Sequence, residues 1–443
     1  MSGLKIALVS LGCAKNLVDS EIILAQLKEE NFVLVTDLSA AEAIIINTCG
    51  FIESAKQESI NKILELAELK NGNCRVLLAA GCLAQRYGEE LLTAIPELDG
   101  IFGINDLQAA AAAVRRALAG ERISFLQGEY EAPEDAPRIL STPSHTAYLK
   151  IAEGCDNHCT YCAIPAIRGP YRSRSRAAVV AEAKKLVQSG VKELNLIAQD
   201  ITPYGLDTSG KLELPLLLEE LAELPGLAWI RLLYAYPERL DSSIVETMAR
   251  LDQVCKYLDI PLQHGSDHVL RRMGRKMTAE KMLQLLSELR QVMPEITIRS
   301  SFIVGFPGET EADFQELLSF LRAAQLDRIG FFAYSQEEGT PAARLPQQIP
   351  TQVKEARLAE AIAVQSEIVT AKQKALIGRK FTALVDGYSA QDSQTLLLRT
   401  PLQAPEVDGY VRISHCSASP GTMLPVTITA FDGYDLLGTV DKR

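Results

Sequence analysis

"TAYLKIAEGCDNHCTYCAIP", residues 146–165, runs from a short apolar stretch of strand character into a loop that carries three cysteines within eight positions, in a chain with nine cysteines among 443 residues. Cys155, Cys159 and Cys162 have the spacing Cys-x3-Cys-x2-Cys. Zinc ordinarily takes four ligands, and no fourth cysteine lies nearby; His158, between the thiols, is the alternative fourth ligand for a closed zinc knuckle. Iron–sulfur clusters are commonly held by close-spaced cysteine thiolates. Three thiolates on a four-iron cube leave one iron open to a small molecule, and a loop at the C-terminal end of a barrel strand is where α/β barrels do their chemistry.

The strand before that loop opens a series. Apolar stretches at 146–152, 193–198, 229–234, 256–260, 296–304 and 328–333 alternate with helical-period segments near 177–189, 215–223, 241–251, 278–291 and 311–324. Six strand–helix repeats predict a partial (β/α)6 barrel of the TIM type, two repeats short of closure. Upstream, strands at 4–10, 32–35, 43–47 and 75–80 alternate with helices near 19–30, 53–70 and 84–95, which predicts a flavodoxin-like parallel α/β domain. An acidic, proline-bearing linker separates the two, around 127–146. Residues 350–377 are strongly helix-forming and Gly378 supplies a stop. The tail breaks into short strands punctuated by Gly, Pro and Asp, the pattern of a small antiparallel β-barrel. The expected division is therefore 1–120, a linker at 121–144, a barrel core with its connecting helix at 145–376, and the β-barrel at 377–443.

Nearly half of the residues are apolar, enough for several cores, and the net charge of −11 argues against a protein that coats nucleic acid without specificity. A basic protein partner suits that charge better. The N-terminus lacks the long apolar core of a signal peptide, and no segment approaches the roughly 18 apolar residues of a membrane span, so a cytoplasmic protein with no membrane partner is expected. In a reducing compartment, clustered cysteines act more often as metal ligands or catalysts than as disulfides.

Three further cysteines each follow an apolar strand of the first domain: Cys13 in "SLGCAKN", Cys49 in "INTCGFIESAKQES" and Cys82 in "LAAGCLAQRY". Strand ends of a parallel sheet share one edge, where ligands bind, so distant cysteines can converge there. Taken singly, each is equally at home as a small buried hydrophobe. Cys74, in the turn "NGNCR", is the rival third member, but it precedes its strand, and Cys82 is preferred.

The three-cysteine loop, with an aromatic Tyr161 just before its last cysteine, resembles the signature of the radical S-adenosylmethionine (SAM) superfamily. The whole arrangement is similar to the methylthiotransferase family, which adds an N-terminal domain with a second cluster and a C-terminal TRAM domain. "LGCAKNLVDSE", "NTCGFIESAKQESI", "IPAIRGPYRSR" and "LYAYP" resemble most closely the branch that modifies ribosomal small-subunit protein S-twelve. The sister branch, which modifies adenosine in transfer RNA, usually has a Gly-Cys-Gln-Met-Asn form where this chain has Gly12-Cys13-Ala14-Lys15-Asn16.

The resemblance implies a transferase that places a methylthio group on the β-carbon of an aspartyl residue. It implies two [4Fe-4S] clusters: a radical-generating one on Cys155, Cys159 and Cys162, whose open iron binds SAM, and an auxiliary one on Cys13, Cys49 and Cys82, whose open iron carries the sulfur. One SAM supplies the methyl group and another a 5′-deoxyadenosyl radical. Tyr161, Gly305, Pro307 and Gly308 are assigned to SAM binding, the last three from "SFIVGFPGET". An electron donor such as a flavodoxin or ferredoxin is implied. The family's glycine-rich "GGE" stretch after the second barrel strand is not recognisable; Glu193 to Asp200 occupy that region, which leaves the anchor of the SAM amino group open.

Other positions are weighed as site residues. Arg168, Arg172, Arg174 and Arg176 in "RGPYRSRSR" are read either as holding a carboxylate of SAM or substrate, or as a solvated loop. Gln263, His264, Gln199 and Asp200 end strands and face either the cavity or the core. Cys255 and Cys416 have no evident role. The tail from residue 381 holds seven acidic and four basic residues, a net −3 that repels phosphate and suits a basic protein. A transfer-RNA methylthiotransferase is the same-class alternative, and a noncatalytic metal-bearing ribosome-binding protein the alternative from another class.

Overall fold

The computed structural model describes residues 3–126, 128, 134 and 136–441. Much of the stretch read as a linker, and Lys442 and Arg443 of the tail, lie outside the described residues. The chain divides into two compact units. One takes the residues up to Ser141 together with Glu153–Ala178 and Ser335–Thr340; the other takes Thr142–Ala152, Val179–Tyr334 and the chain from Pro341 onward.

The first unit is built on a six-stranded parallel sheet: β1 (Lys5–Ser10), β2 (Val33–Leu34), β3 (Ala43–Thr48), β4 (Val76–Gly81), β5 (Gly100–Phe102) and β6 (Ile123–Phe125), in the order β2-β1-β3-β4-β5-β6. Alternate residues of one strand feed opposite faces. Ile45 and Leu78 join α1 (Ala14–Glu29) and α4 (Ala110–Leu118) in one core, while Ile44, Ile46 and Leu77 join α2 (Glu53–Ala67) and α3 (Cys82–Ala94) in the other. This is the flavodoxin-like order, and it reverses direction between β1 and β3, the place where such sheets bind ligands. Two of the six strands escape a reading of the sequence. β5 and β6 have three residues each, too few for a period, and β6 falls where the linker was expected to begin.

The second unit holds six parallel strands, β7 (Thr146–Lys150), β8 (Glu193–Ile197), β9 (Trp229–Leu232), β10 (Val254–Asp259), β11 (Thr297–Val304) and β12 (Arg328–Ala333), in sequential order from β7 to β12 without closure. They match the six expected repeats. Thr351–Leu376 is one 26-residue helix, and Gly378, at φ +85°, follows its end. The tail forms a closed barrel of β13 (Lys380–Tyr388), β14 (Thr395–Arg399), β15 (Val411–Ser414), β16 (Met423–Asp432) and β17 (Asp435–Val440). Its pairs are antiparallel except β15 with β17, which run parallel at Val411 opposite Leu436. Leu396, Leu398, Val426 and Ile428 fill it.

A buried charge network fastens this small barrel to the parallel sheet. Glu193, the first residue of β8, accepts from Arg231 (Nη2, 3.0 Å), from Arg399 of β14 (Nη2, 2.7 Å) and from Thr146 (Oγ1, 2.9 Å), and all these side chains are buried. Arg399 also pairs with Asp386 (2.6 Å), which His145 meets at 2.9 Å. Burial alone would raise the Glu193 carboxyl, but the two guanidiniums outweigh it and push it down to about 2. Glu193 thus sits at the N-terminal end of its strand as a structural hub, at the opposite end from the site loops. Arg399→Ala would leave Glu193 and Asp386 undercompensated, and we expect about 3–5 kcal/mol of lost stability, read as a lower urea or thermal midpoint. Because the folded pKa lies below the usual Glu value near 4.3, the stabilisation linked to it is full above about pH 4.3 and is lost as pH falls toward about 2.

Candidate active site

Strand register brings three cysteines to one edge. Ser10 of β1 lies opposite Asn47 of β3, Asn47 opposite Ala80 of β4, and Thr48 opposite Gly81. Directly past those paired strand ends, Cys49 follows β3 and Cys82 follows β4, with Gly12 packed against Cys49, Gly50 against Cys82, and Cys13 one residue further. A Cβ on Gly12 would meet the Cys49 Sγ at 3.3 Å, and Gly12 has φ +91°, so the turn out of β1 carries glycine where it passes that sulfur. Cys74 is buried before β4, at the other end of the strand, and its thiol donates to the Val76 carbonyl. The edge therefore gathers Cys13, Cys49 and Cys82, and Cys74 is not among them.

Two of the three cysteines stand at helix starts, beside the Arg168 guanidinium. Cys13 caps the N-terminus of α1 and Cys82 is the first residue of α3, so both sulfurs sit where helix N–H groups are unpaired. Burial opposes ionisation of Cys13, yet the charges of Lys15 and Arg168 and the backbone N–H groups of Asn16 and Lys15 outweigh it and lower its pKa. Cys82 lies deeper, and burial pushes its thiol up to about 11 despite Arg168. Burial likewise raises Cys49.

The three-cysteine loop belongs to this same unit. Its base is closed by the Cys155 N–H donating to the Gly169 carbonyl (3.1 Å), and the Cys162 N–H donates to the Cys159 carbonyl (3.0 Å). Gly154 has φ +80°, and a Cβ there would lie 1.9 Å from the Pro170 carbonyl oxygen, so the closure requires glycine. Cys155, Cys159, Cys162 and Tyr161 are half-buried, and His158 is exposed with φ +49°. After the loop comes the short helix α5 (Ile164–Arg168).

Arg168 is neither a solvated residue nor available to a ligand carboxylate. It is 2% exposed; Nη1 donates to both Glu153 oxygens (2.9 Å each), and Nη2 to Asn16 Oδ1 (2.6 Å), Asp19 Oδ2 (3.1 Å) and the Cys82 sulfur (3.4 Å). One guanidinium touches the base of the three-cysteine loop and the edge cysteines together. Asn16, fixed by donating to the carbonyls of Leu11 and Thr48, also accepts from Cys82. Arg174 is buried, while Arg172 and Arg176 are half-buried, with Arg172 donating to the Arg168 carbonyl. Glu337 completes the frame: it accepts from the first N–H of α2 (2.7 Å) and pairs with Lys56 (3.1 Å) and Arg86 (3.0 Å), and Arg86 holds the Gly50 carbonyl next to Cys49 (2.8 Å). Asn16, Asp19, Glu153 and Glu337 were not singled out as site residues. Their only sequence signal is position: two lie just after Cys13 and one just before Gly154.

Both sets of cysteines suit iron–sulfur clusters. A single ion binds sulfur at about 2.3 Å and demands closely gathered ligands; among the described residues no three His, Cys, Asp or Glu side chains are gathered that way. A multi-iron cluster takes each thiolate on a different iron, which fits three sulfurs spread over adjacent strands or along one loop.

The remaining sequence-predicted residues lie in the second unit. Gly305, Pro307 and Gly308 follow β11, with φ +71° at Gly305 and +80° at Gly308. The Cβ direction of Gly305 is filled by Lys354 (2.4 Å) and that of Gly308 by Arg272 (2.7 Å), whose Nε donates to the Pro307 carbonyl (2.8 Å). Packing within the protein thus already demands both glycines. His264 is fully buried; its Nδ1 accepts from the Ser266 N–H (2.9 Å), and Nε2 lies 3.5 Å from Glu309, which Arg357 pairs at 2.9 Å. It shapes the turn after β10, as does Gln263, which is buried at φ +75°. Asp200, buried after β8, accepts from the Thr202 N–H (2.9 Å), and Gln199 is half-buried. Cys255 is buried in β10, and Cys416 is half-buried in the small barrel.

Comparison with known proteins accounts for nearly the whole chain. Residues 5–103 match "Uncharacterized protein family UPF0004", 149–321 the radical SAM superfamily, and 377–440 the TRAM domain. Proteins named "Ribosomal protein uS12 methylthiotransferase RimO" align along its length. That of Desulforudis audaxviator is 51% identical, covering 98% of this chain and 97% of its own; that of Pelotomaculum thermopropionicum is 48% identical, covering 98% and 99%; that of Geobacter sulfurreducens is 45% identical, covering 98% of each. Among solved structures, the radical SAM methyltransferase TsrM of Kitasatospora setae superposes with a TM-score of 0.57 at 14% identity, over 82% of this chain and 89% of that one. The cobalamin-dependent radical enzyme OxsB gives 0.52 at 14%, over 82% and 56%. At such identities the two share a fold with this chain and no more. The radical SAM match makes SAM and a [4Fe-4S] cluster cofactors of this chain. With relatives this similar over 98% of its length, the chain belongs to the RimO family of radical-SAM methylthiotransferases.

Proposed function

We propose that the enzyme replaces a hydrogen on the β-carbon of an aspartyl residue in ribosomal small-subunit protein S-twelve by a methylthio group. In this reading Cys155, Cys159 and Cys162 hold the radical-generating [4Fe-4S] cluster and Cys13, Cys49 and Cys82 an auxiliary one. When bound, the clusters and SAM supply the hydrogen-abstracting radical, the sulfur and the methyl group. The chain's own part is to ligate, orient and shield. Tyr161 beside Cys162, and the Gly305–Gly308 turn with Pro307, are assigned to SAM. The residues through β6 form the auxiliary domain, 145–376 the radical core with its helix, and 377–443 the TRAM barrel, with the linker beginning after β6 rather than at 121. Flavodoxin or ferredoxin serves as electron donor, and the enzyme works in the cytoplasm; no helix among the described residues is long and apolar enough to cross a membrane.

The observation that carries this reading is that both sets of three cysteines belong to one compact unit, three at a sheet edge and three on a loop clasped to it by Arg168. A protein substrate rather than transfer RNA is favoured by the small barrel's charges. From Arg379 to Asp441 the basic residues are Arg379, paired with Glu295, Lys380, 3.2 Å from Asp441, Arg399, buried with Glu193 and Asp386, and Arg412, 3.5 Å from Asp432. Each already has a carboxylate partner, which leaves little positive charge for phosphate.

The test is to reconstitute the full chain anaerobically with iron and sulfide, reduce it, and supply SAM with either a peptide of the S-twelve aspartate loop or transfer RNA. The peptide is expected to gain one methylthio group in place of one hydrogen on the aspartate. Methylthiolated transfer RNA with an unchanged peptide would give the reaction to the sister branch.

A further inference from the structure

Arg168 lies against a cysteine assigned to the auxiliary cluster, and its role rests on the assignment of that cluster to Cys13, Cys49 and Cys82. A fully buried guanidinium needs charge partners, and Glu153 alone, bound through both oxygens at 2.9 Å, would satisfy it as an ordinary ion pair. The structure does more. Nη2 reaches Asn16 Oδ1, Asp19 Oδ2 and the Cys82 sulfur with two N–H groups, so one N–H is shared between an oxygen and the sulfur, which lies at 3.4 Å. Donors to cluster sulfurs, and charge beside them, set the potential of an iron–sulfur centre. A cation that donates to a thiolate stabilises the more negative, reduced state and so raises the potential.

We propose that Arg168 is a positioning residue for the auxiliary cluster: held by Glu153 and Asp19, its guanidinium keeps a hydrogen bond on the Cys82 sulfur and thereby raises the reduction potential of the cluster bound there. The same clasp makes the auxiliary site depend on the loop that carries the other three cysteines, since Glu153 and Arg168 bracket that loop. Its charge also reaches Cys13 and Cys49, so the effect falls on the whole ligand set.

Lysine separates this role from a purely structural one. Its ammonium can pair with Glu153 but cannot fork to sulfur as well. The experiment uses the full chain with Cys155, Cys159 and Cys162 replaced by alanine, so that only the auxiliary cluster assembles, and follows the midpoint potential by redox titration with electron paramagnetic resonance, alongside iron content. Adding R168K is expected to keep the iron while shifting reduction about tenfold toward the oxidised form, about 59 mV for one electron. D19N loosens the hold on the guanidinium and is expected to shift the potential downward, as R168K does, whereas an anion acting only through its own charge would shift it upward when lost. Equal potentials in the parent, R168K and D19N, with iron retained, would overturn the proposal. If R168K does not fold, the D19N shift decides: downward supports the role, none or upward removes it. A folded parent without iron would overturn the two-cluster reading, and this inference with it.

Discussion

Replacing Cys159 by alanine is expected to abolish SAM cleavage and methylthio transfer together while leaving the auxiliary iron in place. In the proposed assignment Cys159 is the middle ligand of a loop whose other sulfurs are Cys155 and Cys162, and the chain closes that loop with backbone hydrogen bonds that do not involve the Cys159 side chain. The loop should therefore keep its shape and lose its cluster. Without the radical, removal of a hydrogen from unactivated carbon has no alternative route on the protein, so turnover should fall by more than about a thousandfold, over about 4 kcal/mol in barrier. The check is 5′-deoxyadenosine release and product mass on the same sample. Retained release would remove Cys159 from the ligand set.

Cys82→Ala should produce the opposite separation. Cys49 and Cys82 directly follow the paired ends of β3 and β4, and the substitution removes the sulfur on which Arg168 and Asn16 converge. SAM cleavage at the other cluster is expected to persist, with methylthio transfer reduced by more than about a thousandfold on the same scale. Cys74→Ala is the control. That thiol is buried at the far end of β4, and its loss should cost about 1 kcal/mol of packing and leave transfer near the native rate. If Cys74→Ala abolished transfer and Cys82→Ala did not, the sheet-edge assignment would be reversed.

What the sequence discloses follows the physics of its signals. The barrel strands were legible because the first four, buried along nearly their whole length, are short apolar runs, and the helical periods between the strands mark out the rest. Cys82 could be preferred to Cys74 because a strand's direction is readable: one cysteine follows its strand and the other precedes it. β5 and β6 were not legible because three residues carry no period. The parallel pairing of β15 with β17 is a property of tertiary closure and leaves no local trace.

At the site, ligand cysteines announce themselves by spacing and by their strands, whereas their supports do not. Glu153, Asp19 and Glu337 look like ordinary acidic residues until the fold brings each to a buried cation. Arg168 shows the limit most clearly: in sequence it is one of four arginines within nine residues, and only in three dimensions does it touch a cysteine 86 positions earlier. Gly305 and Gly308 teach the converse. Both have positive φ, and a side chain there would meet Lys354 or Arg272, so the fold itself gives a reason for glycine beside the proposed one.

The most direct measurement is iron content with Mössbauer spectra of the anaerobically reconstituted full chain and of two variants, one lacking Cys13, Cys49 and Cys82 and one lacking Cys155, Cys159 and Cys162. Two separate four-iron clusters predict about eight irons in the native chain and about four in each variant, all with four-iron spectra. A variant without Cys13, Cys49 and Cys82 that still held as much iron as the native chain would contradict the account.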